Sequence, residues 1–250
     1  MSVKAEFIEI IRSQFPEDRL TWQKGIPTFH PETASEAGSL FEKANSFGQK
    51  LYINGFGNII EPDKKRFENT LVVKSDRLNR LLKTVADDYY VVVGAGYPLK
   101  ELNSALEKDN LFLPHANLPY VGSVGGALAV GLTADYSGVD LPISKYFIQA
   151  EIVDPQGKMI KPGSACFKSV SGLDIVKIYS PSWGILGMII SATFRVMPIS
   201  ELPEYENIRM HSIDYDKFVA TYKNPGDNNS ALYSIKIKKK FDPNDILPIR

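Results

Sequence analysis

Three short glycine turns are the places in this 250-residue chain where residue type and spacing could do chemistry. They lie at residues 54–58 (Asn-Gly-Phe-Gly-Asn), 94–96 (Gly-Ala-Gly) and 122–126 (Gly-Ser-Val-Gly-Gly). Glycine has no side chain and tolerates positive φ, so backbone N–H groups in such turns can lie close to a phosphate. Each turn taken singly is also typical of a tight turn that binds nothing. The turns therefore indicate a candidate nucleotide site that needs further support.

The spacing does not fit the familiar nucleotide and hydrolase signatures. A Gly-x-Gly-x-x-Gly dinucleotide motif would need glycine where the chain has Ile60 or Leu99. No Gly-Lys-Ser/Thr triplet is present, so a P-loop nucleoside triphosphatase is not indicated. A Gly-x-Ser-x-Gly elbow around Ser123 would need glycine in place of Val121. A serine hydrolase is therefore not expected.

The net charge and the counts of cysteine and histidine exclude several kinds of partner and cofactor. The 29 basic and 29 acidic residues balance, which argues against nucleic acid or a charged membrane surface. The single Cys166 cannot form an internal disulfide or a cysteine-rich iron–sulfur or zinc site. The three histidines are far apart in sequence, so we expect no metal site. Without a secretory signal or an apolar run of transmembrane length, we expect a cytoplasmic protein with no membrane insertion.

The elements that must position the turns are a mixture of helices and strands. One predicted helix ends before Pro16, and a second runs from the capping box of Thr33 and Glu36 to Gly48. Further helices are predicted over residues 78–85, from the spacing of leucine and valine, and over residues 98–106.

Strands are predicted at residues 51–53, 71–73 and 89–93, and a hairpin at 148–160 around an Asp-Pro-Gln-Gly turn. Alternation of apolar and polar residues predicts a half-buried strand at 190–196 and a last strand at 233–238. The segment 201–229 between them is polar and turn-rich, as expected of an insert or a loose connection.

The order of these features resembles a known family. The likeness is carried by the stretches 125–132 (Gly-Gly-Ala-Leu-Ala-Val-Gly-Leu), 167–174 (Phe-Lys-Ser-Val-Ser-Gly-Leu-Asp), 182–189 (Ser-Trp-Gly-Ile-Leu-Gly-Met-Ile) and 241–247 (Phe-Asp-Pro-Asn-Asp-Ile-Leu). They resemble the FAD-binding domain of the vanillyl-alcohol oxidase and p-cresol methylhydroxylase (PCMH) family, and most of all the E subunit of bacterial glycolate oxidase. The likeness covers residues 29–198 and the tail.

The resemblance implies an α+β fold of the PCMH type, with two α+β subdomains that hold the cofactor between them. The FAD-binding domain would span residues 1–198, with a first subdomain at 20–88 and a second at 89–198. Residues 199–232 would form a short cap remnant or connection, and 233–250 a C-terminal strand and tail that pack back on the FAD domain. The stretch after Pro198 is too short for a cap domain with its own core, so the substrate cap is expected to be largely absent.

The resemblance also assigns the cofactor site. Backbone N–H groups of the first turn would wrap the pyrophosphate of FAD, the third turn would lie against the ribityl chain and flavin ring, and Ile189 would contact the adenine end. Asn58 stands where members that bind FAD covalently often have a histidine, so noncovalent FAD is implied. The implied cofactor-binding residues are Asn54, Gly55, Phe56, Gly57, Asn58, Pro119, Gly122, Ser123, Val124, Gly125, Gly126 and Ile189.

The implied function is that of the FAD-binding subunit of an oxidoreductase, a dehydrogenase of small 2-hydroxy acids that works with partner flavin and iron–sulfur subunits. One departure from the family pattern weakens glycolate itself as the substrate, and a second would stiffen or distort a turn. Residues 134–137 read Ala-Asp-Tyr-Ser where the E subunit has Gly-Pro-Arg-Arg, and arginine is the usual clamp for a carboxylate. Pro181 also replaces a family glycine.

No residue has a context that marks it as the catalytic base, so the catalytic residues stay unassigned, and His115 or His211 would be guesses. Two alternatives remain open. The chain could be a cap-less flavin-binding scaffold or electron relay with no turnover of its own, or a relic of the fold that has lost FAD.

Overall fold

A computed structural model describes residues 3–60, 65–136, 138–165, 175–201 and 208–249 of the chain. The helices in these residues are α1 Ala5–Gln14, α2 Ala34–Phe47, α3 Leu102–Leu106, α4 Val124–Val130, α5 Tyr215–Lys223 and α6 Asn229–Phe241. The strands are β1 Leu20–Gln23, β2 Ile26–Phe29, β3 Lys50–Asn54, β4 Thr70–Lys74, β5 Leu81–Val85, β6 Tyr90–Gly94, β7 Leu111–Phe112, β8 Thr133–Tyr136, β9 Val139–Pro142, β10 Phe147–Val153, β11 Met159–Ile160, β12 Met188–Arg195, β13 Met197–Pro198 and β14 Ile208–Met210.

Two larger sheets organise the described chain. The first has the order β1-β2-β4-β3, in which β2, β4 and β3 are parallel and β1 is antiparallel to β2. The second has the order β11-β10-β12-β6-β5 and is antiparallel throughout. Two small sheets pair β13 with β7 and arrange β14-β8-β9. The first two glycine turns follow β3 and β6, so one turn belongs to each larger sheet. The predicted α+β class is confirmed.

Each larger sheet has its own hydrophobic core. The first sheet packs on α1 and α2, and Ile246 and Leu247 of the C-terminal tail are buried in the same core. The second sheet packs on α3 and α4. Val153 and Ile190, from the ends of two second-sheet strands, belong to the first core. The two sheets are thus joined by packing near the ends of β10 and β12.

Helix α2 begins and ends as its capping residues predict. The Thr33 hydroxyl accepts a hydrogen bond from the Glu36 N–H at 3.1 Å, and the Glu36 carboxylate accepts one from the N–H of Glu32 at 2.7 Å. Gly48 follows the helix with a left-handed φ of 59°. The structure also confirms the predicted helix before Pro16 and the helix at 98–106. It confirms the strands predicted at 51–53, 71–73 and 89–93 and the hairpin at 148–160.

The helix predicted over residues 78–85 is wrong, because Leu81–Val85 forms strand β5. β5 pairs with β6 at the edge of the second sheet, with a register shift between Leu81 and Lys83. Leu82 is 54% exposed, so the leucine spacing does not mark one buried helical face. Backbone pairing with a buried neighbouring strand outweighs the helical preference of leucine in this short segment.

The strand predicted at 233–238 is also wrong, because this segment lies in helix α6. The Asn228 side chain accepts a hydrogen bond from the Ala231 N–H at 3.1 Å and caps the helix. The buried residues Ala231 and Lys238 are seven positions apart, which is two helical turns. The side chains of this segment are therefore buried with helical spacing, and not at every second residue as the alternation of apolar and polar residues suggested.

Strand β12 is buried on both faces, so the prediction of a half-buried strand is wrong in this respect. Ser191 and Thr193 are only 6% and 3% exposed. β12 lies between β10 and β6 in the second sheet, where both faces are covered.

The segment after β13 contains β14, α5 and α6 in its described part. β14 pairs with β8, and residues of α5 and α6 pack against the cores already formed. No separate cap core is found among the described residues of this segment. The stretch 167–174, which carried part of the family likeness, lies outside the described residues, as does Cys166.

Candidate cofactor site

A cleft lies between the end of β3, the start of α4 and the turn that leads into β12. It holds about 780 Å³ of space, with its open mouth included. Ten of the twelve predicted cofactor-binding residues line this cleft. They are Asn54, Gly55, Phe56, Gly57, Asn58, Gly122, Ser123, Gly125, Gly126 and Ile189.

Pro119 and Val124 are not among the lining residues. Pro119 is exposed between the buried residues Leu118 and Tyr120. The Val124 side chain is fully buried in the second core, and its N–H donates to the Tyr97 carbonyl at 2.9 Å. Val124 therefore shapes the turn from inside the protein.

The first glycine turn offers free hydrogen-bond donors to the cleft. No acceptor among the described residues pairs with the backbone N–H groups of Gly55, Phe56 or Gly57. Gly57 has a φ of 81°, a backbone conformation that favours glycine. Consecutive unpaired N–H groups in a turn form a concave site for an anion. This turn can hold a phosphate group.

The second glycine turn has a packing role. All three backbone N–H groups of residues 94–96 donate to carbonyls elsewhere in the protein. A Cβ atom on Gly96 would lie 1.9 Å from the Ser75 carbonyl oxygen, so glycine allows two backbone segments to touch. Only Ala95 of this turn lines the cleft.

The third glycine turn shapes the cleft beside the first. The Ser123 hydroxyl accepts the Gly126 N–H at 3.1 Å and caps α4, and the Gly125 N–H donates to the Ala95 carbonyl at 2.7 Å. A Cβ on Gly55 would lie 2.6 Å from the Ser123 Oγ atom. The first and third turns are therefore in contact, which larger residues would prevent.

Asn58 connects the same two turns through its side chain. Its carboxamide donates a hydrogen bond to the Val121 carbonyl. Both residues are exposed, as is Ile59 beside them, so this contact lies at the mouth of the cleft.

Tyr120 and Trp183 are two of the three aromatic residues of the described lining that were missed from the sequence, the third being Tyr52 of β3. A Cβ atom on Gly122 would lie only 2.5 Å from the Tyr120 ring, so glycine leaves room for this ring. Burial raises the pKa of the Tyr120 phenol far above its ordinary value. Trp183 lies in the turn 182–189 that carried part of the resemblance, from which only Ile189 was chosen. The signal for both was a nearby glycine, since Gly122 lies two residues after Tyr120 and Gly184 directly follows Trp183.

The cleft has no charged side chain in its described lining. Its polar groups are backbone amides, Asn54 and Asn58, serines and the tyrosine hydroxyls. An anion there would interact with neutral dipoles, and no carboxylate or histidine of the described lining is placed to accept a proton.

His115 and His211 lie outside the cleft lining. His115 is fully buried, its Nε2 atom lies 2.8 Å from the Leu141 carbonyl oxygen, and burial lowers its pKa to about 4. His211 is half-exposed and pairs with Asp140 at 2.9 Å. The described residues contain no cluster of potential metal ligands, and no helix among them is both long and apolar enough to span a bilayer.

A family model described as FAD binding domain matches residues 27–163, which is more than half of the chain and includes the first and third glycine turns. The chain belongs to this family. FAD is accordingly the cofactor of the domain, and the unpaired N–H groups and closely packed glycine turns of the cleft fit a dinucleotide.

Curated relatives match at low identity. The D-lactate dehydrogenase of Archaeoglobus fulgidus is 26% identical over 171 residues, which cover 67% of this chain and 38% of that protein. Glycolate oxidase subunit GlcE of Escherichia coli is 26% identical over 111 residues, which cover 43% of this chain and 31% of that protein. The chain thus spans less than half the length of either relative.

A solved structure of alkyldihydroxyacetonephosphate synthase superposes with a TM-score of 0.63 at 20% identity. The superposition covers 79% of this chain and 41% of that protein, and it shows a shared fold.

Proposed function

We propose that this chain binds FAD noncovalently in the cleft and is the flavin-holding part of an oxidoreductase. The observation that carries the proposal is the set of unpaired N–H groups on Gly55, Phe56 and Gly57, next to the third glycine turn. These donors would hold the pyrophosphate. Bound FAD supplies hydride and electron transfer, whereas the residues of this chain bind and orient it.

Asn58 supports noncovalent attachment. Its carboxamide is not a nucleophile of the kind that forms a bond to flavin, and it is engaged with the Val121 carbonyl across the two turns. Retention of FAD would then depend on the N–H groups and on the shape of the cleft.

The substrate we propose is a small 2-hydroxy acid, as the names of the D-lactate dehydrogenase and glycolate oxidase relatives suggest. A carboxylate substrate needs a cation, usually arginine, and oxidation of its hydroxyl needs a base. The described lining of the cleft offers neither. We therefore propose that partner subunits, including flavin and iron–sulfur subunits, complete the substrate site.

The uncharged cleft also favours the second candidate function, a flavin-binding scaffold or electron relay without turnover of its own. The two candidates share the cofactor site and differ in whether a substrate reduces the flavin when partners are present.

Gly57→Asp and Gly57→Asn together test the position of the phosphates. The two side chains have the same shape, and both residues accept positive φ better than most. We expect the Asn variant to bind FAD more weakly than the natural chain. The Asp variant should bind at least about tenfold more weakly again, because its carboxylate would repel the pyrophosphate.

Affinity is measured by titrating the purified proteins with FAD and following visible flavin absorbance, with thermal unfolding as the check that both variants fold. Equal affinity in the two variants would place the phosphates elsewhere. A natural chain that is colourless and gives no signal on titration would refute FAD binding.

A further inference from the structure

Trp183 in the wall of the cleft is stacked on helix α5. Its ring lies 5.4 Å from the Phe218 ring at an interplanar angle of 27°, and 5.1 Å from the Tyr215 ring at 55°. The two α5 residues are also near each other, with ring centroids 6.0 Å apart. One side of the indole therefore faces α5 while the residue lines the cleft.

The backbone of Trp183 is held in an unfavourable conformation. Its φ is 51°, which is rare for a bulky residue and costs free energy. The N–H groups of Ser182 and Trp183 both donate to the Ala129 carbonyl, at 3.0 and 2.8 Å. Ala129 also lines the cleft. This conformation keeps the indole at the cleft, where residues with such strain are often found to be functional.

Helix α5 is fixed on the other side by the first sheet. Tyr215 is only 8% exposed and packs in a small core with Ile26, Phe67 and Val72. The Arg66 guanidinium lies 4.9 Å from the centre of the Tyr215 ring. The stack thus runs from the first sheet through α5 to the cleft.

We propose that Trp183 is a cofactor-positioning residue and that α5 clamps it as an aromatic wall for the dinucleotide. The inference rests on the proposed FAD site. It adds to the three glycine turns an aromatic wall that lies outside them. Because coupling between two sites is reciprocal, docking of α5 should strengthen FAD binding, and FAD should strengthen docking of α5.

Tryptophan fluorescence provides a direct reporter. The chain has two tryptophans, and Trp22 is 54% exposed on β1, so Trp22→Phe leaves Trp183 as the single emitter. We expect FAD to quench the emission of this variant in step with binding. In the same background, Phe218→Ala should shift the emission of the FAD-free protein to the red and weaken FAD binding about three- to tenfold.

Matched variants distinguish positioning from loss of folding. Phe218→Tyr keeps the ring and should restore FAD affinity, whereas Lys217→Ala, on the exposed side of α5, should leave it unchanged. Trp183→Phe should keep more affinity than Trp183→Ala, with both proteins folded by circular dichroism.

Emission of Trp183 that does not respond to bound FAD, together with unchanged affinity in Phe218→Ala and Trp183→Ala, would overturn this inference and leave the proposed function standing. Absence of FAD binding in the Trp22→Phe protein and in the natural chain would overturn both.

Discussion

At the scale of residues, the three glycine turns have similar composition but different roles. Gly55 and Gly57 belong to a turn with unpaired N–H groups, whereas the N–H groups of residues 94–96 are all bonded within the protein. Gly96 serves the close approach of two backbone segments. The first turn, which we propose holds a phosphate, therefore differs from the packing turn in that its donors have no acceptors among the described residues.

The buried position of His115 leads us to expect that the stability of the protein depends on pH. Burial disfavours its imidazolium form and lowers the pKa to about 4, while an unfolded histidine titrates near 6.5. The unfolded state therefore takes up the proton first. The free energy of unfolding should be independent of this group above about pH 7.5 and should fall by about 1 kcal/mol per pH unit between pH 6 and pH 4.5.

Urea unfolding of the natural chain and of His115→Gln at pH 7.5 and pH 5.5 measures this effect. The variant should be less stable at both pH values but should lose less stability between them. The same decrease in both proteins would assign the pH dependence to other groups.

At the scale of elements, a buried ion pair joins helix α6 to the C-terminal tail. Lys238 and Asp242 are 4% and 3% exposed and form a salt bridge. The Asp242 carboxylate also accepts hydrogen bonds from the N–H groups of Ile246 and Leu247, both at 2.9 Å. The Ile246 carbonyl in turn accepts the N–H of Leu51 in β3. The tail thus supports the strand that leads into the first glycine turn.

Asp242→Ala should destabilise the protein by about 3–5 kcal/mol, because it leaves two backbone N–H groups without their acceptor and leaves the buried Lys238 only the more distant carboxylate of Asp245, at 3.7 Å. Lys240→Ala, an exposed change on the same helix, should have an effect within about 0.5 kcal/mol. Chemical denaturation of the two variants measures the difference. A loss below 1 kcal/mol in Asp242→Ala would show that the other contacts of the tail are sufficient to hold it in place.

At the scale of the whole molecule, the cleft proposed as the cofactor site lies where the two sheets meet. Residues after β3 of the first sheet supply the unpaired N–H groups, the turn before β12 supplies Trp183, and β12 of the second sheet supplies Ile189. The segment after β13 places α5 behind one wall of the cleft and forms no separate cap in its described part.

This architecture predicts the behaviour of the isolated FAD-loaded chain. Without air, D-lactate or glycolate should not bleach its flavin above the background rate, because the described cleft lacks a cation for the carboxylate and a base for the hydroxyl proton. Dithionite should bleach it and serves as the control that the flavin can be reduced. Rapid bleaching by either hydroxy acid would mean that the substrate site is complete in this chain.

Local sequence signals predicted those elements whose ends are determined by neighbouring residues. The Thr33 cap and Gly48 define α2, and the Asp-Pro-Gln-Gly turn defines the β10–β11 hairpin. Predictions failed where long-range contacts decide. β5 is a strand because β6 lies beside it, and α6 is a helix although residues 233–238 alternate like a strand.

The sequence by itself determined the family, the cofactor and ten of the residues that line the cleft, because close backbone approach requires glycine at fixed points of the chain. Only the tertiary structure decided which turn has donors without acceptors, since hydrogen-bond partners come from distant segments. It also brought Trp183 to the cleft and α5 behind it, through contacts between residues that are 35 positions apart. The spacing of residue types along the sequence does not reveal contacts between such distant residues.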